Sequence, residues 1–210
     1  MTIILASASP RRYQILSLLQ LPFLMVPPQA DETSEARWAP KEEAARLAQR
    51  KAASVAGFFP TAVVVGSDTL IDLGGQKIGK PCDRADARRI LDRLRGCAHE
   101  VITGVTILQQ QSGKSFEWVQ AVRITMRSFS EPELEAYVAS DEPLDKAGAY
   151  SLQGQGRSLI AGLEGDYLAA VGLPLRAVAN GLQQMGIAIP VNVDTIYRER
   201  NVLNWRTFAE

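Results

Sequence analysis

Short apolar runs that alternate with amphipathic stretches constrain the fold of this 210-residue chain more than any other feature. The run TIILA at residues 2–6 has the length of a buried strand, and Ser9 and Pro10 are typical of a helix cap and first turn. Residues 62–65 (AVVV) are apolar throughout, which is typical of a strand covered on both faces of a parallel sheet. This alternation of strands and helices predicts an α/β protein.

The middle of the chain predicts an antiparallel part of the same sheet. Residues 99–108 and 116–126 have the pattern of extended strands, and QQQSGK between them is a hairpin loop. Residues 159–171 are predicted to be largely extended. Pro174 begins the last main helix, and residues 190–210 are predicted to form a polar tail that packs on the surface.

Composition argues against several classes of function. The 23 basic and 23 acidic residues balance to zero, so recognition of nucleic acid or an acidic membrane by bulk charge is not expected. The two cysteines form no CxxC motif or Cys/His cluster, which argues against a disulfide scaffold and a structural zinc site. His99 is the only histidine, so a His-based triad would have to use it.

No signal peptide or membrane span is recognisable, and we expect a cytoplasmic protein.

Cations stand at two positions where elementary electrostatics disfavours them. Arg11 and Arg12 follow Ser9 on the first helical turn, where the helix dipole favours anions and disfavours cations. Lys51 lies on the apolar face of a second predicted helix, which begins at Pro40. A bound phosphate would account for both positions. The alternatives are a solvated first turn for the arginines and, for Lys51, a side chain that snorkels to solvent.

Carboxylates and a glycine-rich segment complete the candidate site. Asp68 is predicted at the carboxyl end of a strand, where open α/β sheets bind ligands, although an Asp there can also cap a turn. Glu32 is either loop surface or, with Asp68, sufficient to hold Mg²⁺ on phosphate oxygens. Lys80 (GKP) and Lys146 (PLDKAGAYSLQGQG) add cations. The latter segment lacks P-loop spacing and could equally be an ordinary glycine-rich loop. Together these residue types favour metal-assisted chemistry on a phosphoanhydride.

Several of these segments occur together in a fixed order. They are LASASPRR, RLAQRKA, GSDT, GKP, YVASDEPLDKAGAYSLQGQG and VGLPL. In this order the chain resembles the Maf family of nucleotide pyrophosphatases, from about residue 3 to about residue 185. The resemblance implies an elongated, two-lobed α/β fold, a mixed sheet flanked by helices and similar to that of inosine triphosphate pyrophosphatases. It implies one domain over residues 1–188 with a central cleft, a C-terminal tail over residues 189–210, and often a homodimer.

The resemblance also implies a reaction. A nucleoside triphosphate is hydrolysed between its α and β phosphates to the monophosphate and pyrophosphate, with help from a divalent metal such as Mg²⁺ or Mn²⁺. Asp68 is implied as the proton acceptor, and Glu32 with Asp68 as the metal-side carboxylates. The expected phosphate-binding residues are Ser7, Ser9, Arg11, Arg12, Lys51, Lys80 and Lys146.

Three positions bear on the choice of base. Arg11, Thr69 and Gln153 resemble the group of the family that acts on dTTP and UTP, whereas the 7-methyl-GTP group has Trp, Gln and Glu there. The amide of Gln153 can pair as donor and acceptor with a pyrimidine edge. Ser151 departs from the Gly of many members. The alternatives are a sister pyrophosphatase with another base preference and a regulatory nucleotide-binding module associated with septum formation.

Overall fold

The structure, a computed structural model, describes residues 1–35 and 37–208, so the last two residues of the predicted tail lie outside the described residues. The strands are β1 (Ile3–Ala6), β2 (Leu24–Val26), β3 (Val63–Leu73), β4 (Gln76–Ile78), β5 (Ala98–Gln109), β6 (Lys114–Met126) and β7 (Ile160–Glu164). The α-helices are α1 (Pro10–Ser17), α2 (Pro40–Ala56), α3 (Arg84–Leu94), α4 (Glu131–Ala139), α5 (Tyr167–Val171), α6 (Leu175–Gln184) and α7 (Val193–Glu199).

These strands form one mixed sheet, as expected for the fold class, and the sheet has seven strands in the described residues. The order is β2-β1-β3-β5-β6-β7, and β4 pairs with β3 outside this path. The strand β1 is parallel to β2 and β3, whereas β5, β6 and β7 follow one another antiparallel. The predicted hairpin of the two middle strands is therefore confirmed.

Helices cover both faces of the sheet. The helix α2 lies on one face, where Ala52 and Val55 pack against Ile4 and Val64. The opposite face carries the main core, to which α1, α3, α4, α5 and α6 contribute apolar side chains. Within the described part of the chain, no helix combines the length and the apolar character that crossing a membrane requires.

The strand β3 is longer than predicted, which moves Asp68 from a strand end to the middle of a strand. The sequence predicts a strand that ends near Gly66, but β3 runs for 11 residues because its second half pairs with β5 and β4. Its parallel pairing with β1 ends at Gly66, and its pairing with β4 begins at Ile71. Residues 67–70 therefore have β5 on one side and no described strand on the other. We call this gap in the sheet the β3 notch.

Two glycines bring α2 unusually close to the sheet. A Cβ atom at Gly66 would lie 2.5 Å from the carbonyl oxygen of Ala48, and one at Gly104 would lie 2.3 Å from that of Ala44. Real Cβ atoms do not approach backbone this closely, so the helix rests directly on the strand backbones. The same face of α2 carries Lys51, which is thereby held over β3.

Two predictions for the C-terminal part need correction. Residues 159–171 were expected to be largely extended, but only β7 is a strand and α5 is a helix. Asp166 begins that helix, since its Oδ1 accepts the backbone N–H groups of the second and third helical residues. The tail contains α7 and buries Trp205, which is 6% exposed and stacks on Tyr167. The tail is polar in composition, so the sequence pattern does not indicate that Trp205 is buried.

Candidate functional site

A cavity of about 460 Å³ opens at the β3 notch. Its walls come from the turn between β1 and α1, the loop before α2, the notch itself and the segment around residues 145–153. All predicted site residues except Ser7 line it: Ser9, Arg11, Arg12, Glu32, Lys51, Asp68, Thr69, Lys80, Lys146 and Gln153. The fold therefore brings together motifs that are far apart in the chain.

The centre of the cavity is an ion pair between Lys51 and Asp68. The Lys51 ammonium lies 2.6 Å from Oδ1 of Asp68 and 3.2 Å from Oε2 of Glu32. The side chains of Lys51 and Asp68 are only 9% and 11% exposed, whereas that of Glu32 is 62% exposed. The geometry excludes the alternative in which Lys51 snorkels to solvent. It also leaves Asp68 Oδ2 without a hydrogen-bond donor among the described residues.

Arg12 is fixed on the cavity wall by neutral acceptors. Its Nε donates to the carbonyl of Gly172 at 3.0 Å, and its Nη2 donates to Oγ1 of Thr69 at 3.3 Å. The Thr69 hydroxyl is itself 2.9 Å from that of Thr103. Burial lowers the pKa of Arg12, while the charge of Asp68 acts in the opposite direction. Thr69 therefore bears on the site by holding a guanidinium as well as by facing the cavity.

Arg11 and Lys80 also line the cavity, and within residues 1–35 and 37–208 neither they nor Arg12 forms an ion pair with a carboxylate. Ser7 and Ser9 accept backbone N–H groups at the first turn of α1, the turn that carries Arg11 and Arg12. Ser9 caps the helix, its Oγ accepting the N–H of Arg12 at 3.5 Å. Ser7 is buried outside the cavity lining and accepts the N–H of Ser9 at 3.0 Å. Ser7 thus shapes the turn instead of facing a ligand.

Lys146 differs from the other predicted cations because protein groups occupy its ammonium. It contacts the carboxylate of Asp145 and donates to the carbonyl of Glu142 at 3.0 Å. Any contact with an anion in the cavity competes with these partners.

Glu142 organises the loop beside the cavity, and the sequence analysis does not identify it. Its two carboxylate oxygens accept the N–H groups of Gln155 at 2.9 Å and Gly156 at 3.1 Å. Ser151 holds the preceding turn, because its Oγ accepts the N–H of Gln153 at 3.2 Å. These bonds fix the backbone of Gln153 at the cavity rim. They also give the departure at Ser151 a physical role, which Gly could not provide.

The loop that presents Glu32 is anchored on α2. Arg50 donates to the carbonyls of Asp31 and Thr33, both at 3.2 Å. The guanidinium of Arg50 also lies 4.9 Å from the ring centre of Trp38. Although Glu32 is exposed, its backbone is held in position, because Asp31 and Thr33 on either side of it both bind Arg50 of α2.

His99 does not line the cavity. It is 3% exposed, and its Nε2 lies 2.7 Å from the hydroxyl of Tyr150, which lines the cavity. Burial lowers the pKa of His99 to about 4. The only histidine is therefore uncharged at neutral pH and contacts a cavity-lining residue, Tyr150, without lining the cavity itself. A His-based triad at this site is ruled out.

The site offers carboxylate oxygens, not a preformed metal cage. No cluster of three or more His, Cys, Asp or Glu side chains in the described part of the chain could hold a metal. Glu32 and Asp68 present two hard oxygen donors beside the same ammonium. Mg²⁺ needs one or two carboxylates, with waters and substrate phosphates as further ligands, and these residues fit that requirement.

Fold and site together define an α/β protein whose cavity joins a capped helix N-terminus, two carboxylates, and cations that have no carboxylate partner within residues 1–35 and 37–208. This combination suits a phosphorylated ligand. The chain belongs to the Maf family, since the family model described as "Maf-like protein" matches residues 2–185. The resemblance inferred from the motifs is thereby confirmed.

Two similar curated proteins share the name dTTP/UTP pyrophosphatase. A dTTP/UTP pyrophosphatase of Syntrophus aciditrophicus (strain SB) is 41% identical over 184 residues, which cover 88% of this chain and 90% of the relative. A dTTP/UTP pyrophosphatase of Pelotomaculum thermopropionicum is 43% identical over 184 residues, which cover 88% of this chain and 96% of the relative.

The fold itself is shared more widely. A HAM1 protein from Coxiella burnetii superposes with a TM-score of 0.50 at 12% identity, covering 88% of this chain and 99% of that one. At this identity the likeness concerns the fold alone, and it confirms the predicted fold class.

Proposed function

We propose that this protein hydrolyses dTTP and UTP between the α and β phosphates, releasing the monophosphate and pyrophosphate. One observation carries the proposal: Arg11, Arg12 and Lys80 converge without carboxylate partners among the described residues, beside the buried pair of Lys51 and Asp68. Cations left unpaired on a cavity wall suit an anion of high charge, such as a triphosphate. The names of the relatives support the same activity.

In this proposal the cations and the N-terminus of α1 bind the phosphate chain. Arg12 is held in place before the ligand arrives, so little side-chain freedom is lost on binding. The positive charge of these groups would stabilise the charge that develops on the pyrophosphate leaving group. Lys146 contributes only if it exchanges its contact with Asp145 for a phosphate oxygen.

Asp68 is proposed as the general base. Its Oδ1 is bound to Lys51, which fixes the carboxylate plane, and its Oδ2 is left for a water molecule. The carboxylate would take a proton from that water as the water oxygen attacks, and the bond between the α and β phosphates breaks. The proton stays on Asp68 until the products leave.

We propose Glu32 and Asp68 as the protein ligands of a divalent metal, Mg²⁺ or Mn²⁺. When bound, the metal would neutralise charge on the phosphate oxygens. The exposed position of Glu32 allows its carboxylate to swing between Lys51 and a metal without disturbing the core.

Base selection is proposed to rest on Gln153, Arg11 and Thr69. Gln153 lies at the cavity rim, and its side-chain amide makes no hydrogen bond with another described residue, so it is available to a pyrimidine edge. Arg11 and Thr69 line the same cavity. A base that leaves the Gln153 amide unpaired would be penalised.

The deciding experiment measures pyrophosphate release by the purified full chain with Mg²⁺ or Mn²⁺. The panel is dTTP, UTP, CTP, GTP, 7-methyl-GTP and ITP, and we expect dTTP and UTP to give the highest kcat/KM. Release of inorganic phosphate in place of pyrophosphate contradicts the site of cleavage. A preference for 7-methyl-GTP selects the sister activity, and nucleotide binding without turnover selects a regulatory module.

Asp68→Asn tests the base directly, and Asp72→Asn is its matched control. Asp72 lies four positions further along β3, where its Oδ1 only accepts the N–H of Gly75 in the hairpin turn. We expect Asp68→Asn to retain nucleotide binding and lose about 10²–10⁴ in kcat, and Asp72→Asn to keep the wild-type rate. Full activity of Asp68→Asn would remove that residue from the mechanism.

The remaining features implied by the family resemblance are proposed with the activity. We propose that residues 1–188 form one domain of two lobes around the cavity, and that the protein acts as a cytoplasmic homodimer. Light scattering of the purified full chain tests the dimer, and a monomeric mass at micromolar concentration contradicts it.

A further inference from the structure

The C-terminal segment, residues 190–208, lies beyond the part of the chain that matches the family, yet it reaches the cavity rim. Within this segment, Asn204 donates a hydrogen bond from Nδ2 to the backbone carbonyl of Gln153 at 2.8 Å. This is a direct contact between a segment outside the family match and a residue proposed to read the base.

A second set of contacts ties the same segment to the residues that follow Gln153. Arg157 donates from Nη2 to the carbonyl of Thr207 at 2.6 Å. Its guanidinium also stacks over Phe208, 4.1 Å from the ring centre. The segment therefore holds the loop around Gln153 at two points along the chain.

The other side of the segment is anchored on α5. Trp205 stacks on Tyr167 with ring centres 5.4 Å apart, and the Tyr167 hydroxyl donates to the carbonyl of Leu203 at 2.5 Å. The helix α5 leads into Gly172, whose carbonyl accepts the Nε of Arg12. The C-terminal segment thus joins the loop that presents Gln153 to the element that fixes a phosphate-side arginine.

The backbone of the segment is shaped for this contact. Leu203 and Asn204 both adopt left-handed conformations, with φ of 53° and 63°. Such a conformation is common for Asn but costly for Leu, and it persists where surrounding contacts determine it. The two left-handed residues turn the Asn204 amide toward Gln153 while Trp205 remains buried.

We propose that Asn204 is a positioning residue for base recognition, which acts by fixing the backbone of Gln153 from a segment outside the family match. This inference rests on the proposed function, because it assigns a consequence to Gln153 as the base-reading residue. It predicts that base selectivity depends on the contact between Asn204 and Gln153, whereas binding of the phosphate chain does not depend on that contact.

The test replaces Asn204 by Gly, which accepts a positive φ without strain and removes the donor. We expect KM for dTTP and UTP to rise about twofold to tenfold, the range that follows from loss of one hydrogen bond, with kcat unchanged. The preference for UTP over CTP should fall. The inhibition constant of inorganic tripolyphosphate, a ligand without a base, should stay at the wild-type value.

Two further variants separate loss of the Asn204 hydrogen bond from other effects of the substitution. Asn204→Asp preserves the shape and the left-handed preference but cannot donate, so it should reproduce the effect. Asn201→Gly is the matched control, since Asn201 is exposed in the same segment and makes no side-chain hydrogen bond with a described residue. We expect wild-type kinetics from it.

The outcomes separate this inference from the proposed function. A wild-type enzyme that shows no pyrophosphatase activity refutes the proposed function, and the inference falls with it. Pyrimidine-selective wild type together with unchanged KM in Asn204→Gly and Asn204→Asp overturns the inference alone. A change in the tripolyphosphate constant that parallels a fall in Tm overturns it as well, because it indicates a general structural role.

Discussion

The substitution Lys51→Met removes the ammonium that joins Asp68 to Glu32 and keeps the length of the side chain. Asp68 then has no hydrogen-bond donor among the described residues, although its side chain is only 11% exposed. Removal of one partner from a buried ion pair typically costs 3–5 kcal/mol. Because Asp68 lines the cavity, we place the loss in free energy of unfolding at the lower end, about 3 kcal/mol.

The opposite substitution, Asp68→Asn, should cost less. The Asn carbonyl can still accept the Lys51 ammonium, and Glu32 remains 3.2 Å from it. In the double variant Lys51→Met/Asp68→Asn no uncompensated carboxylate remains at position 68. Its stability should therefore be higher than that of Lys51→Met alone, with a coupling free energy of about 1–3 kcal/mol between the two positions.

Urea denaturation of the four proteins measures this cycle at pH 7, and the matched control is Lys114→Met, a lysine in the exposed β5–β6 hairpin. Activity should be lost in all three site variants and retained in the control. The reasoning is refuted if Lys51→Met is as stable as wild type, or if the two single effects simply add. Either result would mean that water in the cavity already replaces the ion pair.

Three further predictions concern Gly104, His99 and Glu142. Gly104→Ala should cost about 1–3 kcal/mol by pushing α2 off the sheet, whereas Gly162→Ala, with open space around its Cβ position, should be neutral in a denaturation assay. Burial lowers the pKa of His99 from 6.5 to about 4, so the unfolded chain binds more protons between these values. Stability should fall by about 3 kcal/mol as pH decreases through that window, and by less in His99→Gln. Glu142→Gln replaces one of two acceptor oxygens by a donor, and should raise KM for dTTP several-fold at constant kcat in the pyrophosphate assay.

Much of the fold could be predicted because local signals agreed with the tertiary structure. The Ser9 cap, the apolar run before it and the two long middle strands all appear where the pattern places them. The pattern failed at β3, because polar residues in GSDT resemble the end of a strand. Pairing with β5, which is remote in sequence, carries the strand through Asp68 to Asp72, and pairing with β4 extends it to Leu73. A short helix such as α5, apolar at every position, has no period that distinguishes it from a strand.

The site was partly predictable for a similar reason. Lys51 stood out because a cation interrupts an apolar face, and its burial confirms the signal. Glu142 gave no such signal, since a Glu in a polar loop is ordinary until its backbone partners are known. The anchoring of Trp205 on Tyr167 was equally hidden, because it joins positions 38 residues apart without a shared motif.

The β3 notch has a consequence for the coupling of binding and stability. Alternate residues of a strand direct their backbone N–H and C=O groups to opposite neighbours, so within residues 67–70 every second residue faces the gap. At about 3.3 Å per residue, the gap is roughly 13 Å long. Phosphate oxygens of a ligand along the gap would accept the N–H groups that face it, but not pair with the C=O groups. Occupancy of the gap should therefore stabilise the folded chain as a whole, and Tm should rise with the concentration of nucleotide.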